Sequence, residues 1–181
     1  GDRYLYGITS GKLYTGGLAT ITSGEDAGTY YTNKNGVIQT GQQTIGSDTY
    51  YFDAEGKMQK GIINVDGQRY LYGVSSGKLY KGGMATITYG DDKGTYITNA
   101  SGVIQIGWIE YNGQKYYSNS KGVLKNGVQE IDGNAYLFGI NSYKLFYGLA
   151  TTPDGKTYYS NNEGILQKGT FTINGKKYTF G

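Results

Sequence analysis

Apolar and polar positions in this chain alternate over runs of four or five residues, and a glycine-bearing turn closes almost every run. In Trp108–Gly127 the runs WIEY and QKYYS read as two strands. Asn112-Gly113 stands between them, the dipeptide that suits a type I′ turn, where both central residues take positive φ. Asp66-Gly67, Asp132-Gly133, Asp154-Gly155 and Asn174-Gly175 occupy the same slot. Adjacent strand residues face opposite sides. Each tyrosine pair (Tyr30-Tyr31, Tyr50-Tyr51, Tyr116-Tyr117, Tyr158-Tyr159) is therefore expected to send one ring into a core and the other to the outer face or to the junction with the next hairpin. No 3.6-residue periodicity persists and no capping signals appear, so helix is not expected.

The hairpins are written in a longer period. RYLYG at Arg3–Gly7 returns at Arg69–Gly73, and SGKLY at Ser10–Tyr14 returns at Ser76–Tyr80, both offset by 66 residues. A third copy opens at Asp132 as DGNAYLFGINSYKLFYG, and its long loop shortens to Pro153–Gly155. A fixed internal period means units that bury their apolar faces on their neighbours. The expected fold is all-β, a repeat β-hairpin solenoid of about nine hairpins including partial ones. It is read as a single array over 1–181, with super-repeats 1–61 (partial), 62–127 and 128–181 (partial). Because the chain opens inside a repeat, it is read as a fragment of a larger protein.

Composition narrows the chemistry. Thirty-two Gly and 21 Tyr against five Phe, one Trp and one Pro predict a thin, tyrosine-lined core rather than a large aliphatic one. With neither Cys nor His, thiol and imidazole chemistry is excluded and a zinc site is not expected. The formal charge of +3 comes from scattered Lys and Arg, which gives no basic stripe for nucleic acid, and no apolar run is long enough for a membrane span. Glu25-Asp26 and Asp91-Asp92 lack the alternating pattern of a calcium loop and read as solvated hairpin tips. As glycosidase acids they fail, because that chemistry needs two carboxylates converging across a cleft.

Rows of outward rings beside Gln, Asn, Asp and Lys suit sugars, whose C–H faces stack on aromatics while their hydroxyls take hydrogen bonds. The segment GWIEYNGQKYYSNSKGVLKNG (Gly107–Gly127) resembles the cell-wall-binding repeat of the choline-binding-module superfamily. EIDGNAYLFG and TINGKKYTFG are similar to the glucan-binding repeats of glucansucrases and the C-terminal repeats of clostridial toxins. The resemblance implies a secreted or surface-attached bacterial protein with ligands held between consecutive hairpins. Choline-binding members cage their ligand with a Trp after the boundary Gly, a second Trp just before the tyrosine pair, and a Tyr. Here Trp108 alone keeps the first position, which is Gln42, Ile62, Val128 and Thr170 elsewhere. The second position holds Thr49, Arg69, Lys115, Ala135, Thr157 and Lys177. Choline is therefore not expected as a ligand.

The expected function is a non-catalytic module binding carbohydrate, cell-wall polysaccharide or host glycan through several weak sites, with no cofactor. The alternative is a purely structural stalk or adhesin. The candidate ring platforms are Trp108 with Tyr117, Tyr6 with Tyr14, and Tyr72 with Tyr80, with Lys12, Lys78 and Gln105 as polar partners.

Overall fold

The computed structural model describes residues 1–181, and every regular element in it is a β-strand. Consecutive strands pair as antiparallel hairpins. They are β1 (Gly17–Ile21) with β2 (Gly28–Thr32), β3 (Gly41–Ile45) with β4 (Asp48–Phe52), and β6 (Gly61–Val65) with β7 (Gln68–Tyr72). β8 (Gly83–Ile87) and β9 (Gly94–Thr98) form the next, followed by β10 (Gly107–Tyr111) with β11 (Gln114–Ser118) and β12 (Gly127–Ile131) with β13 (Asn134–Phe138). β14 (Gly148–Thr151) with β15 (Thr157–Ser160) and β16 (Gly169–Ile173) with β17 (Lys176–Phe180) complete the series, and the short β5 (Met58–Gln59) adds to β4. Single bridges at Tyr4–Val37 and Tyr6–Leu13 mark a partial hairpin before β1. The sheets stay open, as the hairpin reading requires.

Four of the five anticipated turns are type I′. Asp66, Asn112, Asp132 and Asn174 have φ near 50°, and each is followed by a glycine at positive φ. Asp154-Gly155 is the exception, and its expected equivalence is corrected: only Gly155 has positive φ, at 82°. Pro153 holds a negative φ before it, and Thr152 closes a wider loop by donating its N–H to the Lys156 carbonyl at 2.8 Å.

The chain divides into two compact units, residues 1–93 with 97–104, and residues 94–96 with 105–181. In each, one backbone bond repeats from hairpin to hairpin. In the first unit the N–H groups of Ile38, Leu79 and Ile104 donate to the carbonyls of Arg3, Thr49 and Arg69. In the second, those of Leu124, Leu145 and Leu166 donate to Thr95, Lys115 and Ala135. A connector thus docks its apolar residue on the second strand of the preceding hairpin. In the connectors that carry Ile38, Met58, Ile104, Leu124 and Leu166, unlike those of Leu79 and Leu145, a side chain five residues upstream shapes the chain. Asn33, Asp53, Asn99, Asn119 and Asn161 each accept the N–H groups two and four residues on, at 2.8–3.0 Å.

The cores are thin and tyrosine-lined, as composition indicates. Leu5, Ala19, Ile21 and Tyr30 cluster in the first unit, and Ile131, Phe138 and Leu145, backed by Tyr117 and Tyr136, in the second. In the tyrosine pairs the first ring is the buried one at Tyr30, Tyr50 and Tyr116, while the second turns to a neighbouring hairpin. Tyr31 stacks on Phe52 with centroids 6.2 Å apart, and Tyr159 on Phe180 at 6.0 Å.

Connector glycines seat the docked leucines. At Gly102, φ is +83°, and an added Cβ would lie 2.6 Å from a Leu79 methyl; Gly164 meets Leu145 in the same way. Gly102→Ala combines left-handed strain with overpacking and is expected to destabilise the first unit by about 2–4 kcal/mol. Urea denaturation checks this, and a loss under 1 kcal/mol would show that the connector relaxes freely.

Candidate functional site

A concavity of about 390 Å³ in the second unit lies where the β10–β11 hairpin meets its successor. Trp108 and Tyr136 give it two aromatic walls, and Glu110, Lys115 and Glu163 give it polar ones. Trp108 is placed by register. It stands across from Tyr117, and alternation along β10 turns it from the buried face that Ile109 occupies. Its ring packs edge-on against Tyr117 at 5.2 Å and Tyr136 at 4.9 Å, with Phe138 at 5.8 Å beneath. Trp108 nevertheless keeps 42% of its surface exposed, so the indole is held by its neighbours and still partly open to solvent. A flat ring held in this way offers a stacking face without the entropic cost of ordering it on binding.

Lys115 lines this cavity for a structural reason. Its carbonyl accepts the Leu145 N–H at 2.9 Å, the repeating bond of the stack, which fixes the residue at the junction. The cross-strand neighbour of Lys115 is Glu110, and Glu163 arrives from the Asn161 connector. Two carboxylates and one ammonium make the lining net negative. Repulsion of a cation by Lys115 therefore no longer supplies an argument against choline.

The other candidates fare differently. Tyr117 is brought to Trp108, but as its brace, while the second wall, Tyr136, comes from the next hairpin and was not among the candidates. A tryptophan facing the following hairpin is the signal that leads to it. Tyr72 is corrected: it is 0% exposed and has no free ring face. Burial pushes its phenol up, and Gln42 Nε2 donates to its hydroxyl at 3.0 Å. Neither Tyr6 with Tyr14 nor Tyr72 with Tyr80 forms a platform. The bridges Tyr6–Leu13 and Tyr72–Leu79 place each later tyrosine on the opposite face. Tyr14 and Tyr80 are each about 40% exposed, and the Tyr80 hydroxyl donates to the Met84 carbonyl at 2.9 Å. Lys12 is exposed. Lys78 pairs with Asp48 at 2.7 Å, and this partner raises its pKa. The Gln105 carbonyl accepts the Ser118 hydroxyl at 3.0 Å, and Gln105 does not line the Trp108 cavity.

Stacked hairpins with an aromatic, carboxylate-bearing cavity at a junction define a repeat module of the ligand-holding kind. Residues 39–84 match a family described as choline-binding repeat, and residues 106–124, around Trp108, match one described as putative cell wall binding repeat. Glucosyltransferase-I of Streptococcus downei is 34% identical over 110 residues, covering 58% of this chain and 7% of that protein. Glucosyltransferase-S of Streptococcus mutans is 31% identical over 131 residues, covering 71% of this chain and again 7% of that protein. The chain thus spans less than a tenth of the length of these two relatives. The structure of CbpJ from Streptococcus pneumoniae superposes with a TM-score of 0.73 at 22% identity, over 94% of this chain and 65% of that one. Choline binding protein F from the same organism, crystallised in the presence of a peptidoglycan analogue, also gives 0.73, at 25% identity over 92% and 55%. The chain is built of cell-wall-binding repeats of the choline-binding-like family, related to those of streptococcal glucosyltransferases.

Proposed function

We propose that the chain is a non-catalytic carbohydrate-binding module of a secreted or surface-attached bacterial protein, holding glucan or cell-wall polysaccharide at a hairpin junction. The observation that carries this reading is the Trp108 cavity. The Trp108 ring packs against three aromatic rings yet stays partly exposed, and Glu110, Lys115 and Glu163 stand within the same lining to bond hydroxyls. Relatives named glucosyltransferase support a glucose polymer, and the neighbour crystallised with a peptidoglycan analogue supports a wall glycan. Weak individual sites gain from multiplicity, by roughly 10² to 10⁴ when geometry permits simultaneous contact. The test is co-sedimentation with insoluble α-glucan and with purified cell walls. Retention on either is expected, whereas a purely structural stalk would be retained on neither.

A quaternary ammonium is the second reading, favoured by the net negative lining between two rings. Trp108 and Tyr136 supply two aromatic walls, while the place of a third is taken by Lys115. On the glycan reading the protein passes through an immobilised tertiary-amine resin. Capture there with elution by free choline would replace the glycan reading with the choline one.

A further inference from the structure

Tyr143 is the one bulky residue of the chain at positive φ, 58°; the other non-glycine residues there are the Asp and Asn of the hairpin turns. A large side chain in the left-handed region is strained, and such strain persists where the surroundings hold it and gathers at functional sites. The strain is not needed to shape the connector. SYKLF at Ser142–Phe146 is the third copy of SGKLY, and the same position is glycine at Gly11 and Gly77, with φ of 61° and 70°. The Tyr143 N–H donates to the Gly139 carbonyl at 2.9 Å, as those of Gly11 and Gly77 donate to Gly7 and Gly73 at 2.8 Å. The same loop forms with glycine, so what sets the third copy apart is the side chain.

That side chain is half-buried, and its hydroxyl accepts a hydrogen bond at 3.3 Å from Thr95 Oγ1, a buried residue of β9. Two residues on, the Leu145 N–H is bonded to the Lys115 carbonyl of β11. The connector is thus tied to two earlier hairpins, and Gly77 offers no side chain for the longer tie. The shorter tie leads to the cavity. Leu145 lines it and clusters with Ile131 and Phe138, against which Tyr117 and Tyr136 pack. Phe138, Tyr117 and Tyr136 are the three rings around Trp108. The equivalent junction of the first unit is closed: Tyr72 is fully buried, and Gln42, in the place of Trp108, donates to its hydroxyl. Of these two junctions, the one open beside an exposed indole is the one whose connector carries the strained tyrosine.

We propose that Tyr143 is a positioning residue for the Trp108 cavity, a strut that holds the Leu145 connector so that the rings around the indole stand in place before a ligand arrives. This deepens the glycan reading above and rests on it, through a residue outside the cavity lining. The closed junction needs no strut, because the bond from Gln42 to Tyr72 locks it from within. The open junction lacks that filling. A side chain anchored on Thr95 keeps its walls from drifting, which lowers the ordering cost of binding. The left-handed strain at Tyr143 is the cost of that anchor.

The experiment compares the 181-residue chain with Tyr143→Gly and Tyr143→Phe in thermal melting, in acrylamide quenching of Trp108 emission without ligand, and in titration with isomaltoheptaose. Tyr143→Gly restores the residue of the other two copies and relieves the strain, so it should melt close to the wild-type temperature. Its indole should nevertheless be quenched more efficiently, and its affinity for isomaltoheptaose should fall about fivefold. Tyr143→Phe keeps the ring, loses the bond to Thr95 and should fall between the two. A tyrosine that only filled space would shift the melting temperature and leave quenching and affinity at wild-type values. That result, or unfolding of Tyr143→Gly, would overturn the proposal and leave the glycan reading standing. Absence of binding by the wild type would overturn the glucan reading alone, because the quenching comparison uses no ligand and still decides the role of Tyr143.

Discussion

Replacing Trp108 by alanine is expected to remove most polysaccharide retention while leaving the chain folded. A tryptophan at the centre of a binding patch typically contributes 2 kcal/mol or more, about 30-fold in affinity. The indole supplies one of the two aromatic walls of the cavity, and nothing else in the lining replaces its area. Because it is 42% exposed, its contribution to the core is a fraction of that of a buried ring. Trp108→Phe keeps a stacking face and should retain part of the binding. Equal retention by wild type and Trp108→Ala would show that the ring only covers the junction. Unfolding of Trp108→Ala would make it a core residue.

Phe138→Ala should act in the opposite sense, on the fold first and on binding as a consequence. Phe138 is 0% exposed, clusters with Ile131 and Leu145, and lies 5.8 Å beneath Trp108. Removing such a ring costs about 3–5 kcal/mol, a large part of the 5–15 kcal/mol that holds a small domain together. The second unit should lose cooperative unfolding near room temperature. Phe138→Tyr isolates the reason. The equivalent Tyr72 of the first unit keeps its buried hydroxyl satisfied through Gln42, which stands where Trp108 stands here. The single variant should be destabilised by about 1–3 kcal/mol, and Trp108→Gln with Phe138→Tyr should recover stability but not binding. Failure of the double variant to recover would show that the two junctions are not interchangeable.

Much of the fold was legible because hairpins carry local signals. Asp-Gly and Asn-Gly turns, tyrosine pairs and a fixed period each depend on residues close in sequence, and these dictated strands and their order. The Asp154-Gly155 turn escaped because Pro153 changes the backbone ahead of the same dipeptide. The asparagine that organises four of the connectors, at Asn33, Asn99, Asn119 and Asn161, was overlooked, although Asn-x-x-Gly before an apolar pair recurs and could have disclosed it. The site was less legible, since a cavity between hairpins joins residues whose spacing is set by stacking. Trp108 could be chosen from its rarity and position. Tyr136 and Glu163 could not, because they reach Trp108 only after the next hairpins have docked. Tyr72 misled because an aromatic in a repeat looks the same whether its neighbour is Gln42 or solvent.

Trp108 is the only tryptophan in the chain, so its fluorescence reports on the cavity without labelling. Titration of the intact protein with isomaltoheptaose should give a saturable change in tryptophan emission at the concentrations that release the protein from insoluble glucan. Release by the oligosaccharide with emission unchanged throughout would contradict the account, because the glycan would then bind somewhere other than the Trp108 junction.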